Sequence, residues 1–162
     1  MDASERRTHG SPEVARVGTA DIAVVVPLME DYCRFYAAEP GRTALERISR
    51  ACVHDPVRTG FQLLARSSSR RPLGFATVYW TWATTSGGQV AVMNDLFVAA
   101  QARGQGVGYA LLKACAVEVA ARGLSRMTWQ TAPANTSAQA LYDRVGATVE
   151  SWYEYTLDVG AP

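Results

Sequence analysis

The sequence carries almost no surplus charge: 16 Lys and Arg stand against 15 Asp and Glu, a formal net charge of +1 over 162 residues. That balance argues against nucleic acid as a main partner, because phosphate-backbone contacts need a basic surface, and only Arg6-Arg7 and Arg70-Arg71 cluster. Cysteine is scarce and irregularly placed, at positions 33, 52 and 115. No metal-ligand spacing results, so no metal is expected, and the odd count suggests reduced thiols and a cytoplasmic setting. No apolar run is long enough to span a membrane, and the opening residues hold no apolar leader. Neither a repeat nor a second domain is visible. Residues 1–13 are expected to be a flexible tail, with one folded domain from 14 to 162.

Hydrophobic residues, 48% of the chain, are ample for a buried core. Their spacing predicts a helix over Ile22 to Tyr36, capped from Thr19-Ala20-Asp21, with Pro27 kinking it or marking a fresh start. A second helix is expected over Thr43 to Cys52. Strands follow at Phe61 to Ala65, Leu73 to Thr81 and Gln89 to Val98, an antiparallel meander closed by the Thr85-Ser86-Gly87-Gly88 turn. A helix from Tyr109 to about Gly123 then leads to a strand over Arg126 to Thr131, which should lie parallel to the Gln89–Val98 strand. A short helix over Ser137 to Val145, capped by Gly146, precedes a final alternating strand over Val149 to Leu157. The fold class is α/β in the broad sense: a mixed, mostly antiparallel sheet flanked by helices.

The most telling stretch is Arg103-Gly104-Gln105-Gly106-Val107-Gly108, between the Asn94-Asp95-Leu96-Phe97-Val98 strand and the Tyr109-Ala110-Leu111-Leu112 helix. A glycine turn opening a helix presents unpaired N–H groups backed by the positive end of the helix dipole, and such a turn binds phosphate. A dinucleotide fold would place it near the start of the domain, and a triphosphate loop would need Gly-Lys-Ser/Thr there. Neither applies.

The stretch resembles the acetyl-CoA-binding motif of the GCN5-related N-acetyltransferases, Arg/Gln-x-x-Gly-x-Gly/Ala, with Arg103, Gly106 and Gly108 at its fixed positions. The Asp95–Val98 strand, Asn135, Ala140-Leu141-Tyr142 and Gly146-Ala147 are similar to that family in order, so the likeness covers about residues 14–158. The spacing from Asp95 to Tyr142 resembles the small-molecule amine branch that includes spermidine/spermine acetyltransferases. The resemblance implies acetyl-CoA as cosubstrate, held by Leu96, Phe97 and Val98, by Arg103 through Gly108 (with Gln105 and Val107), and by Asn135. It further implies a splayed pair of parallel strands that admits the pantetheine arm, and an N–H near Leu96 or Phe97 that receives the thioester oxygen. Tyr142 occupies the position of the family's catalytic tyrosine, the proton donor to the leaving thiol; the alternative is an aromatic packed on the sheet.

An alkylammonium of pKa near 10.4 is neutral for only about one molecule in a few thousand at pH 7, a cost of roughly 4–5 kcal/mol, so a base is expected. Spermidine-type enzymes carry a glutamate where this chain has Asn94, and an amide cannot take a proton. Asp95 points to the other face of a regular strand unless a β-bulge re-aims it. Glu30, Asp31 and Glu154 are substitutes. Tyr32, Phe35 and Tyr36, with Trp80 and Trp82, are candidates to line an acceptor pocket beside Glu30. The expected acceptor is a primary amine of a small molecule. A non-catalytic acyl-CoA sensor, or acetylation of a protein amine, is the alternative. The resemblance also implies a homodimer formed through Trp152, Tyr153 and Tyr155.

Overall fold

The computed structural model describes residues 11–160. Contacts divide the chain after Gln130 into two compact units. In the first, five strands lie side by side in chain order: β1 (Glu13–Arg16), β2 (Gly60–Arg66), β3 (Pro72–Ala83), β4 (Gly88–Val98) and β5 (Met127–Thr128). The pairs β1–β2, β2–β3 and β3–β4 are antiparallel, and β4–β5 is parallel. The expected meander and its parallel neighbour are both present. β1 departs from the sequence expectation: Glu13, expected to end the tail, opens it, while residues 1–10 lie outside the described residues.

Helices α1 (Ile22–Phe35) and α2 (Arg42–His54) cover one face of the sheet, and α3 (Val107–Ala121) covers the other. Val25, Val26, Leu28 and Met29 of α1 pack with Leu45 of α2 against Leu64, Phe75 and Phe97. On the far face α3 buries Val107, Leu111, Leu112, Cys115 and Val119. Every residue of β2 is buried, as expected of a strand enclosed on both faces.

Pro27 does not break α1, which runs unbroken across it. The ring lies on the exposed side, so water can reach the carbonyl it leaves without a donor. Burial of the opposite side offsets a penalty of about 3 kcal/mol.

β4 contains one surplus residue. Met93 pairs with Val78, but Asp95 rather than Asn94 pairs with Thr77, so Asn94 is an extra residue within the ladder. In an unbroken strand Asp95 would oppose Ala76, on the α3 face. Because of the bulge it shares the α1 face with Thr77, Phe75 and Phe97.

The second unit holds α4 (Thr136–Arg144) and, among its described residues, no strand. Asn135 caps α4: its side-chain oxygen accepts from the Ala138 N–H at 3.3 Å. Gly146 (φ +78°) ends it, with Gly146 N–H on the Asp143 carbonyl and Ala147 N–H on the Tyr142 carbonyl. The strand expected over Val149 to Leu157 is not formed, and Trp152, Tyr153, Tyr155 and Leu157 are exposed. An alternating pattern becomes a strand only against a neighbouring edge, and this unit offers none. Likewise only Met127 and Thr128 of the expected Arg126–Thr131 strand are laddered.

Candidate active site

The parallel ladder is short. It pairs Ala91 with Met127 and Val92 with Thr128 and stops there, while β4 continues to Val98. From Met93 onward, β4 therefore has no laddered neighbour on its β5 side among the described residues, and that stretch includes Leu96, Phe97 and Val98. Main-chain groups along such an edge are available to an extended, amide-bearing ligand.

Arg103 to Gly108 follows within ten residues. Gly104 and Gly106 have φ of +73° and +79°, and a Cβ at either would meet nothing within 4 Å. Glycine is required there for backbone direction rather than for space. Gly106 caps α3, whose first N–H groups have no intrahelical acceptor, and Val107 is buried beneath the turn. Gln105 closes the turn by donating to the Gln101 carbonyl at 2.9 Å, and Arg103 Nε donates to the Val98 carbonyl at 3.3 Å. Arg103 thus ties the turn to the end of β4 and keeps its guanidinium exposed. The open edge and the glycine turn fit the two halves of coenzyme A: a peptide-like arm and a diphosphate.

At the bulge, Asn94 is exposed and its amide donates to Asp95 Oδ1 at 2.9 Å. The Thr77 and Tyr32 hydroxyls supply further hydrogen bonds to the same carboxylate. Burial nonetheless outweighs all three donors and raises the Asp95 pKa above the ordinary carboxylate value. The residues around it are neutral. Cys52 on α2 is pushed up to about 11 by burial and by the Asp95 charge; Cys33 on α1 and the Tyr79 phenol are raised by burial first and then by Asp95, with Glu30 adding to Cys33 and Cys52 to Tyr79. These thiols stay protonated at neutral pH and offer no nucleophile. Cys115, under α3, is pushed up to about 12 and is a core residue as expected.

Tyr32 meets Phe75, Phe97 and Tyr36 edge-on, with ring centroids 5.1–6.0 Å apart, and Tyr36 in turn meets the exposed Phe35. Glu30 pairs with Arg42 at 2.9 Å and lines a cleft between α1 and α2 with Cys33, Glu39 and Leu45. Asp31 is exposed and paired with Arg34. Trp80 is elsewhere. It sits on the α3 face of β3, buried against Phe61, with Arg122 over its ring at 4.4 Å and its indole N–H on the Pro56 carbonyl. Strand alternation separates it from Tyr32, so the two do not line one pocket. Trp82, on the same side as Trp80, is exposed.

Asn135 and Tyr142 belong to the second unit, where Asn135 is the α4 cap and Tyr142 is half-buried in α4. Glu154 is exposed in the unladdered stretch.

Residues 25–147 match the acetyltransferase (GNAT) family. The chain belongs to that family. It is 28% identical over 151 residues to the uncharacterized N-acetyltransferase YhfO of Bacillus subtilis (strain 168), covering 91% of this chain and 98% of that one. A thialysine N-epsilon-acetyltransferase of Caenorhabditis elegans is 31% identical over 94 residues, 56% of this chain and 58% of its own length. Among solved structures, the aminoglycoside N-acetyltransferase AAC(6')-Iy in complex with CoA superposes with a TM-score of 0.79 at 15% identity, covering 92% of this chain and 95% of that one. The mixed sheet, its parallel pair and the flanking helices are the GNAT arrangement, and this chain is a GNAT-family N-acetyltransferase. Among the described residues no group of His, Cys, Asp and Glu is arranged to hold a metal ion.

Proposed function

We propose that this GNAT protein transfers the acetyl group of acetyl-CoA to a primary amine of a small molecule, with Asp95 as the general base. The observation that carries this reading is the Asn94 bulge, which turns a partly buried, hydrogen-bonded carboxylate onto the α1 face beside the unladdered part of β4. Asp95 accepts the proton of the incoming ammonium, directly or through one water. The neutral nitrogen then attacks the acetyl carbonyl carbon; as the C–S bond breaks, the nitrogen gives its surplus proton to solvent and the departing thiolate takes one, which leaves the amide and free coenzyme A. Tyr142 is the proposed donor of that proton, by the family's pattern. Its share is modest, since a thiol of pKa near 8.5 leaves readily as its anion.

Asn94 anchors the base. Its amide cannot accept a proton, but it holds Asp95 Oδ1 and so helps to fix the carboxylate. Leu96–Val98 and Arg103–Gly108 receive acetyl-CoA; Asn135 is assigned to the same cosubstrate by the family's pattern alone. The acceptor side is formed by Tyr32 and Tyr36, with Glu30 in the neighbouring cleft, and a carboxylate-and-aromatic wall suits a cationic amine. Thialysine and aminoglycoside acetylation by the two relatives support a small amine acceptor, and the spermidine/spermine branch is the finer assignment favoured by the Asp95–Tyr142 spacing. A homodimer joined through the exposed Trp152, Tyr153 and Tyr155 belongs to the same proposal, as does a cytoplasmic setting. The test is thiol release from acetyl-CoA across a panel of polyamines, amino acids, amino sugars and aminoglycosides. Turnover on at least one amine is expected. Tight binding of acetyl-CoA with no turnover on any of them would identify a sensor module instead.

A further inference from the structure

Beside Asp95, on the same face of the sheet, lie buried polar groups that exchange no proton in the proposed reaction. Gln62 on β2 is 2% exposed, and Thr77 on β3 is fully buried. They are cross-strand partners, as are Thr77 and Asp95, so the three side chains follow one another across one face of three adjacent strands. Gln62 Nε2 donates to Thr77 Oγ1 at 3.1 Å and lies 3.7 Å from Met29 Sδ, which also accepts from Ser49 Oγ at 3.4 Å. Gln62 Oε1 is buried with no partner among the described residues.

That orphan oxygen is informative. A buried acceptor without a donor is unfavourable, and turning the amide over would let the Thr77 hydroxyl satisfy it. The hydroxyl has a single proton, however. Spent on Gln62, it would be withdrawn from Asp95. With Nε2 facing Thr77, the oxygen of Thr77 is occupied as an acceptor and its proton is directed to the carboxylate.

We propose that Thr77, polarised by Gln62, is a positioning residue that aims Asp95 and keeps it ionised. This rests on Asp95 being the base. The other groups facing Asp95 are the Tyr32 hydroxyl and Cys33 from α1, Cys52 from α2, Tyr79 from β3 and the Asn94 amide. Glu30, farther along α1, acts on Cys33. Of these, Tyr32 and Asn94 donate alongside Thr77. Thr77 is the donor buried within the sheet, beyond the reach of water.

The test needs no acceptor. The side-chain carboxyl of Asp95 is followed by 13C NMR against pH in the full chain, its resonance assigned by its loss in Asp95→Asn. Thr77→Val should move its midpoint up by about one pH unit, the share of one hydrogen bond to a charged acceptor. Thr77→Ser should leave the midpoint in place, and Gln62→Leu should move it up by less than Thr77→Val. A purely packing role predicts no movement in Thr77→Val, and an unmoved midpoint there overturns the proposal. Should Thr77→Val fail to fold, Gln62→Leu with an unmoved midpoint overturns it equally. Loss of the Asp95 assignment as base would appear separately, as undiminished turnover in Asp95→Asn.

Discussion

Replacing Asp95 by Asn tests the chemistry most directly, because it exchanges a proton acceptor for a near-isosteric amide while Asn94, Thr77 and Tyr32 remain around it. At pH 7 an alkylammonium costs roughly 4–5 kcal/mol to deprotonate. A positioned base typically contributes a factor of about 10² to 10⁴, or about 3–5 kcal/mol, and so recovers much of that cost. Turnover in Asp95→Asn should therefore fall by about 10²- to 10⁴-fold, measured by thiol release with the best amine of the panel. The unmodified enzyme should gain activity as pH rises through the Asp95 pKa, which burial holds above the ordinary carboxylate value, and the variant should lack that limb. Stability provides an independent check of sign. A carboxyl whose pKa is raised on folding adds stability that is complete below its unfolded pKa and is lost as pH rises through the folded one. The thermal midpoint of Asp95→Asn should thus gain on that of the parent as pH climbs from about 4 through the raised Asp95 pKa. Turnover within tenfold of the parent at every pH would refute the assignment, whatever the melting curves do.

Three further outcomes follow from the geometry. Gly106→Ala should cost about 1–2 kcal/mol in denaturant unfolding, because φ is +79° with open space for the methyl, and it should weaken coenzyme A binding in calorimetry. Equal affinity would dissociate the turn from the cofactor. Trp80→Phe should lower stability by about 1–2 kcal/mol through loss of the Pro56 hydrogen bond and the Arg122 contact, with acceptor KM unchanged, since Trp80 lies on the α3 face. Tyr142→Phe should reduce kcat severalfold at neutral pH and less above pH 9, and identical profiles would remove its role as proton donor.

The elements with strong periodicity were legible in the sequence. Both α1 and α3 show their buried stripes as spaced, and the Gly104–Gly106 turn could be read because a positive φ leaves a residue-type signature. The bulge is legible only as a condition, since alternation does not reveal where a ladder slips by one. The sequence points Trp80 to the acceptor side for a related reason: its neighbour Trp82 suggests a shared wall, but which face that wall occupies depends on register with β2 and β4. β1 escaped notice because Glu-Val-Ala-Arg is short and mostly exposed. Gln62 and Thr77 carry no sequence signal, as they acquire meaning only when three strands bring them into line.

Excising Asn94 altogether would join Met93 to Asp95 and leave each still opposite its present partner, Val78 and Thr77. Every apolar side chain on both layers would keep its orientation, so the core has no need of the additional amino acid. Besides its amide on Asp95 Oδ1, what it adds is in the main chain: a peptide unit released from pairing and a local bend, two residues beyond the last rung that joins β4 to β5. A shortened chain that melts normally yet no longer binds coenzyme A would mean that position 94 serves through its backbone as well as through its amide.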